Sequence, residues 1–148
     1  MSMSKNLVKA YAPSGSVIAL SGVTTGTTTA GPILDLLGPL VPEWDCICAN
    51  VSAAITTNSL VVKTKWRVSN DGSTFVDLYG SDGETNATQI AATGNGGLVT
   101  TNWAQMLWVN APYPYVMLAV VSTGATGGAG DNITVTYNFI KRGALSPD

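Results

Sequence analysis

The residue types that most often carry enzyme chemistry are scarce in this sequence. Histidine, the commonest general base and metal ligand, does not occur in the 148 residues. Carboxylates are the remaining acid–base candidates, and Asp71, Asp77, Asp82 and Glu84 lie close together in sequence. Asp71 and Asp82 fall in predicted turns at opposite ends of one strand, where a solvated acid serves the turn itself. We therefore predict no catalytic residues and no enzyme activity.

Two Gly-rich segments and two cysteines are the candidates for a metal or redox site. Residues 82–84 and 130–132 offer the hard oxygen ligands that Ca²⁺ prefers, but neither matches a calcium-binding motif, and turn-forming roles are favoured. Cys46 and Cys48 lie two apart in a predicted strand, so their side chains share one face. Such neighbours rarely meet disulfide geometry and are interpreted as small apolar fillers of a buried face. We predict no metal site and no cofactor.

Clustered aromatic residues suggest a carbohydrate-binding alternative. Trp103, Tyr113 and Tyr115 lie within a short stretch, and exposed aromatic rings stack well on flat sugar faces. Trp108 lies in an apolar strand pattern instead, and Trp66 is predicted to fill the core. Glycan stacking on Trp103, Tyr113 and Tyr115 is therefore kept as the alternative function.

Composition limits the partners that this chain can bind. Charged residues make up 11% of the chain and hydrophobic residues 45%, whereas ordinary domains carry about a quarter charged residues. Either much of the exterior is covered by partners, or Thr, Ser and Asn form the polar surface. The net charge is −2 and the seven cations form no basic patch, so nucleic acid is not an expected partner.

Neither a secretory signal nor a membrane span is expected from the sequence. The N-terminal residues carry a lysine but no apolar run behind it. No stretch approaches the roughly 18 apolar residues that a spanning helix requires. We expect a chain that is made in the cytoplasm and has no membrane partner.

Short apolar or alternating runs separated by Gly, Asn, Asp and Thr predict an all-β chain. We predict one domain over residues 1–148, an antiparallel β-sandwich or jelly roll of about eight strands, with residues 1–15 as an extended arm. Residues 31–40 form either one helical turn or a short strand, and residues 24–30, 85–101 and 124–130 are long Gly/Thr-rich loops. The predicted strands are Leu7–Ala12, Ser16–Ser21, Trp44–Ala53, Ser59–Ser69, Thr74–Ser81, Trp103–Val109, Tyr115–Ser122 and Asn132–Lys141.

The clearest local pattern is a hairpin over Leu60–Ser81. Its first strand alternates apolar residues with Lys63, Lys65 and Arg67, which predicts one buried and one wet face. Asp71-Gly72 supplies turn chemistry, and Asp77 is predicted to pair with Lys65 or Lys63. By contrast, residues 115–121 are apolar on both faces, which predicts cover by a partner subunit or a loop.

The hairpin segment 65–78 resembles one that is widespread in β-sandwich proteins of tailed-phage particles. There, a strand ends in Ser-x-Asp-Gly and an aromatic residue follows, as in Ser69-Asn70-Asp71-Gly72 and Phe75 of this chain. A similar hairpin occurs in discoidin-like and other carbohydrate-binding sandwiches. Residues 113–118 resemble the strand that often follows in both groups, although an Arg or Lys common there is missing here.

This resemblance implies a virion accessory protein of the capsid decoration (cement) type. Such proteins are small jelly-roll or related sandwiches, often trimeric, that clamp neighbouring capsid subunits. It implies major capsid protein subunits as partners, self-association as a homotrimer, and a place on the capsid surface after synthesis in the host cytoplasm. A tail or neck accessory protein is the nearest alternative. The interface residues predicted on this basis are Leu7, Tyr11, Val116, Leu118 and Val120, and segments 1–11, 23–32 and 85–101 are expected to reach neighbouring subunits.

Overall fold

Every regular segment that the computed structural model describes is a β-strand. It describes the backbone of residues 6–10, 16–37, 46–78, 91–93, 99–108 and 113–142, and the side chains of residues 16–37, 46–78 and 113–140. The strands within these ranges are β1 (Asn6–Ala10), β2 (Ser16–Ala19), β3 (Thr28–Thr29), β4 (Ile33–Asp35), β5 (Cys46–Ile55), β6 (Val61–Ser69), β7 (Val76–Asp77), β8 (Ala91–Thr93), β9 (Val99–Trp108), β10 (Tyr115–Thr123) and β11 (Asn132–Arg142).

Two antiparallel sheets hold these strands in jelly-roll order. In the first sheet the order is β1–β11–β5–β9, and β2 pairs with the same edge of β11 as β1 does. In the second sheet the order is β3–β10–β6–β7. β4 pairs with the same edge of β10 as β3 does, and β8 pairs with the same edge of β6 as β7 does. The short strands share positions, so eight strand positions result. The predicted all-β sandwich is confirmed.

Alternating side chains from both sheets form one core. In β11 the residues Ile133, Val135, Tyr137 and Phe139 are buried, while the residues between them are half-buried on the outer face. Trp66 from β6 is also buried and stacks on Tyr137 of the opposite sheet, with 6.0 Å between ring centroids. The predictions that β11 alternates and that Trp66 fills the core are confirmed.

The predicted hairpin is present, with a shorter returning strand than the sequence suggested. Arg67 of β6 pairs with Asp77 of β7, but β7 covers only Val76–Asp77, and residues 79–81 lie outside the described residues. The Asp71 carboxylate accepts hydrogen bonds from the N–H groups of Thr74 and Ser73 and from the Ser69 hydroxyl. Those bonds hold the pKa of Asp71 well below its ordinary value, so this acid belongs to the turn.

Three short strands occupy segments predicted as loops or left open. β3 lies within the predicted loop 24–30, β8 lies within the predicted loop 85–101, and β9 begins at Val99 in that same segment. Within residues 31–37 the open alternative resolves as strand β4 followed by a turn at Leu36 and Leu37, and residues 38–40 lie outside the described residues. β3, β4 and β8 are only two or three residues long, too short to show a period.

A close approach at Gly31 interrupts the edge strand between β3 and β4. A Cβ atom at Gly31 would overlap the carbonyl group of Leu118 in β10. The Tyr137 hydroxyl fills the gap from the opposite sheet: it accepts a hydrogen bond from the Leu118 N–H at 2.9 Å and donates one to the Pro32 carbonyl at 2.8 Å. One side chain therefore replaces the missing edge-strand hydrogen bonds.

The doubly apolar strand β10 is covered within the chain. Its inward side chains lie in the core, and on its outer face Met117 and Ala119 are also buried, at 3% and 0% exposure. In register, Met117 lies between Ile33 and Arg67, and Ala119 lies beside Lys65. The Lys65 and Arg67 side chains are only 12% and 27% exposed, which is expected when their aliphatic stems lie along the sheet. The pattern therefore requires neither the partner subunit nor the covering loop that were the two expected alternatives.

The two cysteines share one strand face, as predicted, but it is not the core face. In β5 the odd-numbered residues from Ile47 to Ile55 are buried in the core, so Cys46 and Cys48 lie on the outer face of the first sheet. Cys46 is nevertheless buried, whereas Cys48 is half-exposed. The interpretation of both as fillers of a buried face is therefore wrong for Cys48.

Candidate interaction surfaces

The Asp131 carboxylate ties two loops together and is fully used in doing so. One of its oxygens accepts hydrogen bonds from the N–H groups of Thr56 and Thr57 and from the Thr56 hydroxyl; the other accepts one from the Gly128 N–H. Burial alone would raise the pKa of Asp131, but hydrogen bonds from Thr57, Thr56 and Gly128 outweigh it and hold the pKa below its ordinary value. These contacts favour a loop clamp over a calcium ligand; residues 82–84 lie outside the described residues.

The outer face of the second sheet carries charges of both signs. Lys63, Lys65 and Arg67 project from β6, as predicted, and Asp77 of β7 accepts hydrogen bonds from Lys65 at 2.7 Å and from Arg67 at 3.1 Å. Lys65 first, and then Arg67, lowers the pKa of Asp77, which keeps it charged. The predicted pairing of Asp77 with Lys65 is confirmed. We call this surface the charged face.

The outer face of the first sheet carries no charge in its five central rows. Its residues in β11 and β5 are Asn132, Thr134, Thr136, Asn138, Ile140, Cys46, Cys48, Asn50, Ser52 and Ala54. The register sets five residues of β9 beside them, Thr100, Asn102, Ala104, Met106 and Trp108, and four of β1 and β2, Val8, Ala10, Val17 and Ala19. We call this set of residues the uncharged face.

Polarity changes along the uncharged face. At one end, a row of Val8, Ile140, Cys46 and Trp108 is apolar throughout. The middle row pairs Thr136 with Asn50, and the rows beyond it carry mainly Thr, Ser, Asn and Ala. Val17, on the edge strand β2, is 67% exposed, so most of its side chain is not covered by the rest of the chain. The surface is therefore apolar at one end and hydrogen-bonding at the other.

The predicted interface residues fall in two groups. Val116, Leu118 and Val120 are fully buried in the chain's own core, where they pack against the opposite sheet. They are therefore unavailable to line a contact between subunits. The apolar pattern that suggested this role arises because both faces of β10 are buried within one chain. Leu7 lies in β1, paired with Lys141, and Tyr11 lies outside the described residues.

The three candidate glycan-stacking residues come from different sheets. Tyr115 begins β10 in the second sheet and Tyr113 packs partly against the core, whereas Trp103 pairs with Val51 in the first sheet. Tyr115 is half-exposed, and its ring lies close to Gly72 of the hairpin turn. Tyr113 and Tyr115 therefore stay close together, while the backbone places Trp103 on the other sheet.

Sequence reasoning missed the uncharged face, although the signal was present. Even-numbered residues of segments 46–54 and 132–140 are all uncharged. Only the pairing of β11 with β5 shows that these two rows of residues are neighbours. Among the described residues no group of three His, Cys, Asp or Glu residues is placed to hold a metal ion, and no helix there is long and apolar enough to cross a membrane.

Comparison with known proteins finds no family for this chain. Neither a protein-family model nor a curated protein sequence matches it. Among solved structures, it is similar to T=1 particles derived from infectious bursal virus, with 14% identity and a TM-score of 0.41 over 99% of this chain and 31% of that chain. It is also similar to the VP2 subviral particle of infectious bursal disease virus, with 13% identity and a TM-score of 0.37 over 95% of this chain and 31% of that chain. The chain thus spans about a third of those proteins. Scores this low do not establish a shared fold, so function is inferred from the residues of this chain.

Proposed function

We propose that this chain is a structural protein of a virus particle, of the capsid decoration type, which binds shell subunits and stabilises the shell. The observation that carries the proposal is the topology, eight strand positions in jelly-roll order. This architecture is common in viral capsid domains and in lectins. Because a fold alone does not define a function, the surfaces must agree with it.

The surface chemistry supports adhesion rather than catalysis. Asp71, Asp77 and Asp131 each use their carboxylate oxygens in a turn, an ion pair or a loop clamp. The uncharged face instead offers a broad area that can be buried without removing a charge from water. Burial of apolar surface contributes about 25 cal/mol per Å², and many copies on one shell gain further through multivalency.

The proposed setting follows from this role. The partners are major capsid protein subunits and other copies of this chain, arranged as a homotrimer on the capsid surface of the virion. The chain is made in the host cytoplasm, and nucleic acid and membrane are not partners. Residues 23–32 are proposed to reach a neighbouring subunit; they include strand β3 and run along the edge of the second sheet.

Purified virus particles test the proposal directly. Particles produced from the genome that encodes this chain are analysed by mass spectrometry, and antibodies against the chain locate it by electron microscopy. We expect the chain on the shell in many copies. Its absence from particles contradicts the proposal, and label at the neck or tail assigns the accessory role there instead.

The carbohydrate-binding alternative predicts a different outcome. Jelly rolls also serve as lectins, and Tyr113 and Tyr115 lie together at one end of the second sheet. A glycan array compares the wild type with a variant in which Trp103, Tyr113 and Tyr115 are all alanine. Glycan binding that the variant loses, in a chain absent from particles, supports the lectin function and contradicts the structural one.

A further inference from the structure

We propose that the uncharged face binds a second copy of this chain, face to face, about a two-fold axis that runs along the strands between β11 and β5. This inference deepens the proposed function by naming a contact surface, and it rests on that function for the presence of many copies. It puts a two-fold dimer in place of the homotrimer, because a two-fold contact pairs copies and cannot by itself form a trimer. Three properties of the uncharged face favour a second copy of the chain as its partner: charge, polarity pattern and area.

Charge distinguishes the two outer faces of the sandwich. If the charged face stacked on a copy of itself, Lys63, Lys65, Arg67 and Asp77 would lose hydration in both copies, which is costly. The five central rows of the uncharged face contain only uncharged residues, so a copy of the same face meets no like charge and buries no ion. A charged partner surface, by contrast, would lose hydration without gaining an ion pair.

The polarity pattern selects the direction of the axis. With the axis along the strands, each row faces its own copy, so the apolar end, to which the half-buried Ile140 belongs, meets the apolar end of the partner. The Thr, Asn and Ser rows likewise face each other and supply both donors and acceptors. An axis across the strands would instead set the apolar end of one copy against the polar end of the other.

The area is sufficient for a specific contact. Five rows at two residues each, across four strands, give about 650 Å² of flat area per copy from standard strand spacings. Two copies therefore bury about 1,300 Å², within the range of specific interfaces. Aligned sheets that stack about 10 Å apart are an established packing mode.

Charge substitution near the axis gives the test. Thr136→Lys and Asn50→Lys each place a lysine in the middle row beside the axis, so that the two symmetry-related lysines of a dimer lie close together. Asn50 is exposed and Thr136 half-buried, so the folded monomer has room for either change. The matched control is Thr123→Lys, the same change on a half-buried residue at the end of β10, on the charged face. Equilibrium sedimentation of the full chain measures association, and thermal unfolding confirms that each variant folds.

We expect the wild type to be a dimer. The dimer dissociation constants of Thr136→Lys and Asn50→Lys should be on the order of a hundred-fold larger than that of the wild type, whereas Thr123→Lys should leave the constant unchanged. A wild-type monomer at high concentration overturns the inference. So does a trimer or dimer that the Thr136→Lys and Asn50→Lys variants leave intact, because copies then meet elsewhere. Either result contradicts only the dimer, and the proposed function is still decided by analysis of purified particles. If the chain is absent from particles but forms the expected dimer, only the proposed function is contradicted.

Alkylation of Cys48 gives a second measurement that does not depend on a variant. Cys48 is half-exposed and lies one row from the middle of the uncharged face, whereas Cys46 is buried. If two faces stack, the alkylation rate of Cys48 falls as wild-type concentration rises, and it stays constant in Thr136→Lys. A rate that is independent of concentration in a wild type that associates contradicts the proposed face.

Discussion

Removing the Tyr137 hydroxyl tests whether one hydrogen-bond bridge holds the interrupted edge of the second sheet. Tyr137→Phe deletes the oxygen that accepts from the Leu118 N–H at 2.9 Å and donates to the Pro32 carbonyl at 2.8 Å. The aromatic ring remains, so its stacking on Trp66 is expected to persist. Any loss of stability therefore reports the two hydrogen bonds.

The magnitude follows from the burial of the two partners. Leu118 is fully buried, and leaving its N–H unpaired costs about 1–3 kcal/mol. Pro32 is half-buried, so water can replace part of its bond, which adds about 1 kcal/mol. The expected loss is about 3 kcal/mol, which lowers Tm by roughly 6–12 °C for a domain of this size.

Urea and thermal unfolding followed by circular dichroism measure this loss. Tyr113→Phe is the matched control, because the Tyr113 hydroxyl makes no hydrogen bond to the described residues and the change in atoms is identical. If Tyr137→Phe unfolds within about 0.5 kcal/mol of the wild type, the range of a neutral substitution, the bridge is not a stabilising element.

The same hydroxyl gives the wild type a specific dependence on alkaline pH. Burial raises the pKa of Tyr137 above its ordinary value of 10.0, and the Leu118 hydrogen bond opposes this only in part. Above pH 10 the unfolded chain releases the proton while the folded chain keeps it, so stability falls by about 1.4 kcal/mol per pH unit. Below pH 10 the contribution is complete. The stability difference between wild type and Tyr137→Phe should therefore shrink as pH rises above 10.

Three further substitutions test other contacts by unfolding measurements. Asp131→Ala removes four hydrogen bonds to a buried carboxylate and should cost about 3 kcal/mol of unfolding free energy. Because the folded state lowers the pKa of Asp131, wild-type stability should decrease as the pH falls below about 4. If Asp131→Ala loses stability in acid just as the wild type does, the clamp is contradicted. Gly31→Ala forces a Cβ against the Leu118 carbonyl and should cost at least about 3 kcal/mol, so a variant of wild-type stability would refute the close approach. Ser122→Ala removes a buried hydroxyl that has no hydrogen-bond partner among the described residues, so it should be neutral or stabilise by up to about 1 kcal/mol, and a clear loss would reveal a partner.

The long strands could be predicted from the sequence because each separates two environments. In β6 and β11, apolar and polar residues alternate along the strand, and the structure buries one set in the core. The short strands β3 and β8 were not predicted and β4 was one of two open alternatives, because two or three residues show no period. Their positions depend on pairing with β10 and β6, which are remote in sequence.

The candidate surfaces were harder to predict than the fold. Val116, Leu118 and Val120 suggested an interface because β10 is apolar on both faces. Lys65 and Arg67, which lie beside the outward residues of β10 and are themselves largely buried, come from a neighbouring strand. A pattern within one segment cannot show which long side chains lie over it. The absence of charge on the uncharged face is likewise a property of two segments that are adjacent only after folding.

The position of β11 has a consequence for how this chain folds during synthesis. β11 is synthesised after the ten other described strands, yet it lies inside its sheet, with β1 and β2 on one side and β5 on the other. Asn132 pairs with Ala19, so the contacts that complete the sheet are remote in sequence, and such high contact order predicts folding in milliseconds to seconds. Until residues 132–142 emerge, β2 and β5 have no shared partner, and nascent chains expose an unpaired edge to chaperones or to each other. Loss of this strand by truncation therefore removes the sheet and does not merely shorten it.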